Sequence, residues 1–563
     1  MFSKEIIQHL KSQILSVQKK QLVWFLLFWG ALIYLNALGN QLFWDDHDGI
    51  VNNAYIKNWR YLRNYFSENL IAGAGLQSNY WRPLLLIIFS LGWKVWGLWP
   101  VGFHLISIAT HLLAGYLLFE LLRKLTGQKW LAFFPALFFL SHPLQTEAVT
   151  YVSGLADPLS AVLIFWGLLL YLEKRSTGKF WPVWGVFALA LMTKEKNLIF
   201  FPVLLALLEA SLFFKENFRW NYSSFTQWLT DNLKKNWPIL AMGCFYVLLR
   251  ATSLNFDNTF NLYAQPNLYA DSLLIRTWTF LKIFPQYLGL IFWPFDLHME
   301  RLVKIEISPF SFPVFFGLVL LAGLFWRGFS QARKRPLIFL ALGWFLLSLL
   351  SSSVIPAVSA GIMYEHYLYL PLAGFFFWLT LEVEIFWPKI QASQKYLLGG
   401  ILILFASLLF FSFLTFQRNR VWKEPIVFYE DVLKYNQTSL RIWNNLGMAY
   451  AEAQQPEKAV FAYQKAIELD QENASAPPRH NLANALSALG EKEKALFYYQ
   501  AALSIDPEFI FSYYPLWKLF QEEGRRDEGI AFFKNLKKQA PEKHWEIDKL
   551  IEEMEKSSPD QKK

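Results

Sequence analysis

ILILFASLLFFSFLTFQRNRVWKEPIVFYEDVLKYNQTSLRIWNNLGMAYAEAQQPEKAVFAYQKAIELD, residues 401–470, changes solvent partway along. Up to Phe416 it is almost wholly apolar. With the residues from 397 onward it has the length a helix needs to cross a bilayer, about 20 residues. From Gln417 it is rich in Glu, Lys, Gln and Asn, as soluble chains are. Past Trp443, small and aromatic residues fall at set places: Leu446, Gly447 and Tyr450, then Ala459, Tyr463 and Ala466. The set returns as Leu482, Ala483, Leu486, Ala495, Tyr499, Ala502 and Pro507, and more weakly as Leu516, Phe520, Phe533 and Pro541. Small residues let two helices approach, and aromatics fill the seam between units. A period of about 34 residues built this way is a repeated helix–turn–helix.

The spacing is that of the tetratricopeptide repeat. The expected fold is all-α, a polytopic transmembrane domain of about 11 spans followed by an α-solenoid. The expected domains are a membrane domain at 1–416, a linking helix at 417–440, about three repeats at 441–545, and a polar tail at 546–563. Such arrays bind peptides or proteins in a concave groove, although no groove-facing residue names a ligand.

Only 17% of residues are charged, against roughly 25% in soluble proteins, and the deficit lies before Gln417. The abundance of Phe and Trp suits contact with lipid and headgroups. The net charge of +9 does not argue for nucleic acid, because the basic residues form short clusters between apolar runs. The single cysteine, Cys244, excludes a disulfide framework. The first apolar run has no small-residue cleavage site and reads as a retained anchor.

Candidate spans are 22–43, 102–122, 130–146, 158–173, 180–193, 197–214, 238–254, 310–328, 336–356, 368–387 and 397–416. Lys and Arg collect in short cytoplasmic loops. Lys4, Lys11, Lys19 and Lys20 precede the first run; later clusters are Arg123, Lys124 and Lys129, then Lys174, Arg175 and Lys179. Lys215, Arg219, Lys234 and Lys235 follow, then Arg327, Arg333, Lys334 and Arg335. With the N-terminus cytoplasmic, every cluster falls inside, and the repeats lie outside (periplasmic in a bacterium). Two further stretches, 82–98 and 272–293, are expected to lie at the interface, since counting either alone as a span reverses the later clusters.

The loops left outside carry the candidate chemistry. Asp45 and Asp46 directly follow the first span, and adjacent carboxylates at a membrane face are costly unless solvated or used. One use is as a general base; the bland alternative is a solvated helix stop. Asp46, Asp48 and Gly49 fit only a fragment of a calcium loop. The second outer loop brings His142, Glu147 and Asp157; further on stand Lys194 and Glu195 beside Lys196, then Glu365, His366 and Tyr369. Each alone reads as a helix end with snorkelling charges, Lys196 above all. Together they put acids, histidines and a lysine on one side, suited to hold a lipid-linked phosphate and to move protons.

In order along nearly the whole chain, these pieces resemble the GT-C superfamily of membrane glycosyltransferases, especially the O-mannosyltransferase-like proteins with tetratricopeptide repeats. The matching pieces are Asp45-Asp46, Arg82-Pro83, His104 and His111, His142-Pro143, Thr146-Glu147-Ala148-Val149, Asp157, Lys194-Glu195, and Glu365 through Tyr369. The resemblance implies a polyprenyl-phosphate-linked sugar donor and transfer with inversion. It makes Asp45 or Asp46 the base, and Arg82, His142, Lys194 and His366 candidates for the donor phosphate. Glu147, Asp157, Glu195 and Glu365 would position the acceptor. It leaves open a divalent cation, Mg or Mn, on Asp46, Glu147 and Asp157. Where this chain has His366 the family pattern often carries Arg, the better partner for phosphate. The alternative reading is a membrane-anchored scaffold without catalysis. A transporter is disfavoured because the ionisable residues sit at span ends.

Overall fold

The computed structural model describes residues 16–216, 222–256, 268–354, 361–472 and 474–556. Among them there is helix and no strand. The chain divides into two compact units, 1–424 and 425–563.

In the first unit the longer helices, in chain order, are α1 (Lys19–Tyr34), α2 (Pro83–Trp96), α3 (Pro100–Thr126), α4 (Lys129–Ser141), α5 (Ala156–Lys174), α6 (Trp181–Leu191) and α7 (Asn197–Glu216). They continue as α8 (Tyr222–Ala251), α9 (Leu273–Phe292), α10 (Phe312–Gln331), α11 (Pro336–Ser353), α12 (Tyr369–Ala392) and α13 (Gln394–Val421). Among the described residues, eight helical stretches are long and apolar enough to cross a membrane: those built on α1, α3, α5, α7, α10, α11, α12 and α13. Three of the expected spans take another form. The run 130–146 stops at Ser141 and 180–193 at Leu191, giving apolar helices of 13 and 11 residues. Pro143 forces the residue before it out of the helical region, so His142 is extended. The run 238–254 is only the second half of α8, whose first half is polar. The 82–98 stretch forms α2, at 14 residues about 21 Å long and too short to cross.

Without a hydrophobic drive between helices in lipid, close approach depends on small residues and interhelical hydrogen bonds. A Cβ on Gly374 of α12 would lie 2.7 Å from the Phe345 nitrogen of α11. Asn419, buried in the last turn of α13, is a polar hub. It donates to the Ile33 carbonyl and to Asn36 Oδ1, both at 2.9 Å, and accepts from Thr150 Oγ1 at 2.7 Å. Its carbonyl takes Asn40 Nδ2 at 3.1 Å. One side chain thus clamps the ends of α1 and α13 to the loop that carries Glu147.

At the opposite helix ends the basic clusters meet acids. Lys19 pairs with Glu120 at 2.7 Å, Lys124 with Glu173 at 2.7 Å, and Arg327 with Glu382 at 2.7 Å. These clusters thus lie at the helix ends away from Asn419 and the predicted site residues, whereas Lys234 and Lys235 fall inside α8.

In the second unit α14 (Pro425–Tyr435) precedes three helix hairpins: α15 (Leu440–Glu452) with α16 (Pro456–Leu469), α17 (Ala476–Ala488) with α18 (Lys492–Ile505), and α19 (Tyr513–Glu522) with α20 (Arg526–Gln539). The segment 417–440, expected as one linking helix, breaks at Trp422. Residues up to Val421 close α13, and α14 is separate. Much of the expected polar tail is α21 (His544–Lys556), which buries Ile547, Leu550, Ile551 and Met554. Within the first hairpin a Cβ on Gly447 would meet the Tyr463 ring at 2.5 Å. Gly447→Ala is expected to overpack this seam by about 1–3 kcal/mol. Faster hydrogen exchange across 440–469 in the full-length chain would register it; unchanged exchange would show that the seam relaxes freely.

Candidate active site

Asp45 and Asp46 leave α1 through a short 3₁₀ turn, Leu35–Gly39, and a strained residue. Trp44 has φ +58°, uncommon for a bulky side chain. The two aspartates then part. Asp46 is 1% exposed; its Oδ1 accepts from the Ser153 amide at 2.7 Å and from the Ser153 hydroxyl at 2.5 Å. Asp45 is exposed, and its amide donates to the Tyr151 hydroxyl at 3.2 Å. Tyr151 stacks on Trp422 at the end of α13, centroids 5.1 Å apart. The base candidate that reaches solvent is therefore Asp45, and Asp46 anchors the loop beneath it.

Burial pushes the Asp46 carboxyl up to about 7, against the Ser153 hydrogen bonds and with help from Asp45. An acid whose folded-state pKa is raised stabilises the fold most at low pH. That contribution is complete below the ordinary aspartate value and lost as pH climbs through about 7. Asp46→Asn keeps an Oδ1 acceptor for Ser153. Its melting temperature in detergent is therefore expected to gain on wild type between pH 5 and 8; parallel curves would show that Asp46 is not buried as a charge.

A belt of ion pairs lies at the same helix ends. Arg82, preceding α2, pairs with Glu195 at 3.0 Å and lies over the Tyr80 ring at 4.3 Å. Lys194 pairs with Asp157, at the start of α5, at 2.6 Å. His366 Nδ1 meets Glu147 Oε1 at 2.6 Å, and the His366 amide donates to Glu147 Oε2 at 3.0 Å. Burial works to raise the Glu147 carboxyl, but the His366 ring and amide outweigh it and hold it below its usual range. Arg301 joins Glu365 at 3.3 Å and Asp296 at 3.1 Å. Arg418, in the last turn of α13, adds its charge near Glu365. Asp157 is within the field of His366 and Lys196 as well as Lys194, and Asp45 within that of Tyr80, so the pairs are electrostatic neighbours. Arg82 Nε, Glu195 Oε1 and Glu365 Oε2 are buried with no hydrogen-bond partner among the described residues.

The structure thus brings together Asp45, Arg82, Glu147, Asp157, Lys194, Glu195, Glu365 and His366. His142 does not join them as a free cation. It is fully buried, faces the Ile291 carbonyl through Nε2 at 2.9 Å and accepts from the Leu144 amide through Nδ1 at 3.3 Å. Burial pushes it down to about 4, so it is neutral and structural. His104 and His111 are likewise buried on the Asn40 and Leu140 carbonyls. Nor do Asp46, Glu147 and Asp157 converge as a cation site. Each carboxylate already has its own partner, and no group of three or more His, Cys, Asp or Glu is arranged for a metal among the described residues. Arg301, Arg418 and Tyr151 escape a reading by motif. For Arg418, as for Lys196, the available signal is a basic residue away from the Lys and Arg clusters of the short loops.

Comparison with known proteins agrees with both halves. Residues 440–473 and 478–509 match the family model of the tetratricopeptide repeat. The chain is similar to the protein O-mannosyl-transferase tmtc2 of Xenopus laevis, 25% identical over 78% of this chain and 61% of that protein. It is 23% identical to the human protein O-mannosyl-transferase TMTC2, with the same coverage. With the human protein O-mannosyl-transferase TMTC3 identity is 22%, covering 79% of this chain and 51% of that one. The chain therefore spans about three fifths of the length of the first of these relatives.

Proposed function

We propose that this chain is a membrane glycosyltransferase that moves a mannosyl group from a polyprenyl-phosphate donor to a protein hydroxyl. The observation that carries the reading is an exposed carboxylate, Asp45, beside a belt of Arg, Lys and His at one set of helix ends. It is supported by relatives named protein O-mannosyl-transferases along 78% of the chain. In the reaction Asp45 takes the proton of a Ser or Thr hydroxyl as that oxygen attacks C1 of the sugar. The C1–O bond to the donor phosphate breaks, the lipid phosphate leaves with the bonding pair, and the configuration at C1 inverts. Asp45 then returns its proton to water. The belt holds the phosphate in place. The repeat unit supplies a surface for an extended polypeptide.

The test is reconstitution of the full-length chain with polyprenyl-phosphate mannose and a Ser/Thr-rich polypeptide. One hexose gained per modified hydroxyl, with the anomer opposite to the donor's, supports the proposal. Absence of transfer from any lipid-linked hexose, with partner capture by the repeats intact, favours the scaffold reading.

The same reading puts the N-terminus in the cytoplasm and both Asp45 and the repeats outside. The separation of basic clusters from the ion-pair belt supports it. In a Cys244→Ser background, cysteines introduced at Asn52 and in the repeats are expected to react with an impermeant thiol reagent on intact cells, and one at Lys124 is not. Labelling at Lys124 in place of the other two would reverse the topology.

A further inference from the structure

The belt's basic side chains are not equivalent. Arg82, Lys194, His366 and Arg301 each hold a carboxylate within 3.3 Å. Lys196, in the turn between α6 and α7, holds none within ion-pairing distance among the described residues. Its Nζ sits 3.6 Å from the centroid of the Tyr367 ring and makes one long hydrogen bond, 3.4 Å, to the Ser352 carbonyl. An ammonium has three donors; a ring face and one stretched bond leave most of that capacity unused. Burial, then the neighbouring charge of Lys194, hold the amine well below its ordinary range. A half-buried amine that pairs with no carboxylate among the described residues, beside four basic side chains that each hold one, is placed to receive an anion that arrives from outside.

We propose that Lys196 is the residue that binds the phosphate of the lipid-linked donor and neutralises the charge that builds on it as the sugar leaves. The inference rests on the transferase reading and deepens it. The donor is a phosphodiester with one negative charge. When C1–O cleaves, its bonding electrons remain on the phosphate oxygen, and the product is a phosphomonoester with a second ionisable oxygen. Charge therefore accumulates at the phosphate in the transition state, where a preorganised, poorly hydrated ammonium counts most. Arg82 and Lys194 need their carboxylates, so they orient the belt. The Tyr367 ring keeps the Lys196 ammonium in place without competing for its charge, as an acid would.

The test uses purified full-length chain in lipid nanodiscs, with polyprenyl monophosphate as the probe and inorganic phosphate as a second arm. Lys196→Met is expected to weaken polyprenyl monophosphate binding about ten- to hundredfold, the span of a charge-assisted hydrogen bond. It is expected to lower kcat by about 10²–10³-fold, the range for loss of one transition-state donor. Lys196→Arg should recover most of both. In wild type, polyprenyl monophosphate should shield Lys196 from an amine-reactive reagent read by mass spectrometry, a measurement independent of any variant's folding. Equal binding by wild type and Lys196→Met, or no shielding, overturns the assignment. Shielding by inorganic phosphate with none by the lipid phosphate overturns the lipid-linked source. A wild-type chain that binds no polyprenyl monophosphate at all removes the transferase reading itself, so the two failures are distinguishable.

Discussion

Asp45→Asn is expected to lower sugar transfer by about 10²–10⁴-fold, the usual worth of a positioned general base, and to leave the membrane unit folded. The expectation comes from how unlike the two neighbouring aspartates are. Asp45 is exposed, its amide donates to the Tyr151 hydroxyl and its carboxylate is a hydrogen-bond neighbour of the same hydroxyl; a carboxamide keeps the amide bond and an oxygen acceptor in that place. Asp46 is buried on Ser153. Asp46→Asn preserves the acceptor and should stay within about tenfold of wild-type activity, well short of the loss of a base. Asp46→Ala strands the Ser153 amide and hydroxyl, which costs about 1–3 kcal/mol for a buried group left unpaired, and so should lower melting temperature and activity together. The measurements are steady-state transfer and thermal unfolding on the three variants. A full loss with Asp46→Asn, and none with Asp45→Asn, would exchange the two roles.

The second large effect concerns folding. Lys194 and Asp157 lie 2.6 Å apart with side chains 8% and 13% exposed. Removing one member of a buried pair leaves an uncompensated charge and costs about 3–5 kcal/mol. Lys194→Met should therefore melt well below wild type. Lys194→Met combined with Asp157→Asn should recover most of the loss, because two neutral side chains carry no unpaired charge. A double variant no better than the single one would mean that Lys194 acts by packing alone. This outcome bears on how the site is read, since Lys194 has the residue type of a phosphate ligand and the surroundings of a structural ion pair.

Much was legible from residues in order. The change of solvent near Gln417, the repeat of Gly447, Ala459 and Tyr463 with its later echoes, and the clustering of Lys and Arg are one-dimensional signals. They arise because a bilayer and a helix seam each demand composition at a fixed period. The helical hairpins follow that period, and the basic clusters collect at one set of helix ends. The acids gathered at one set of helix ends were legible too, as charges at span ends where charge is costly.

Spacing along the chain could not say which member of each group faces the substrate. His142 and Lys194 have the residue types of phosphate ligands, but one is buried between the Ile291 carbonyl and the Leu144 amide and the other is closed by Asp157. Lys196, two residues from Lys194 and outwardly the blander of the pair, is the one without a carboxylate among the described residues. Asp45 and Asp46 differ only because Ser153 lies under one of them. Sequence alone determined which solvent each segment meets and which charges share a face, because composition and period act locally. Tertiary structure decided which of those charges is neutralised from within, because an ion pair's partner is supplied by a distant part of the chain. Glu147 and His366 are 219 residues apart in sequence and in contact at 2.6 Å.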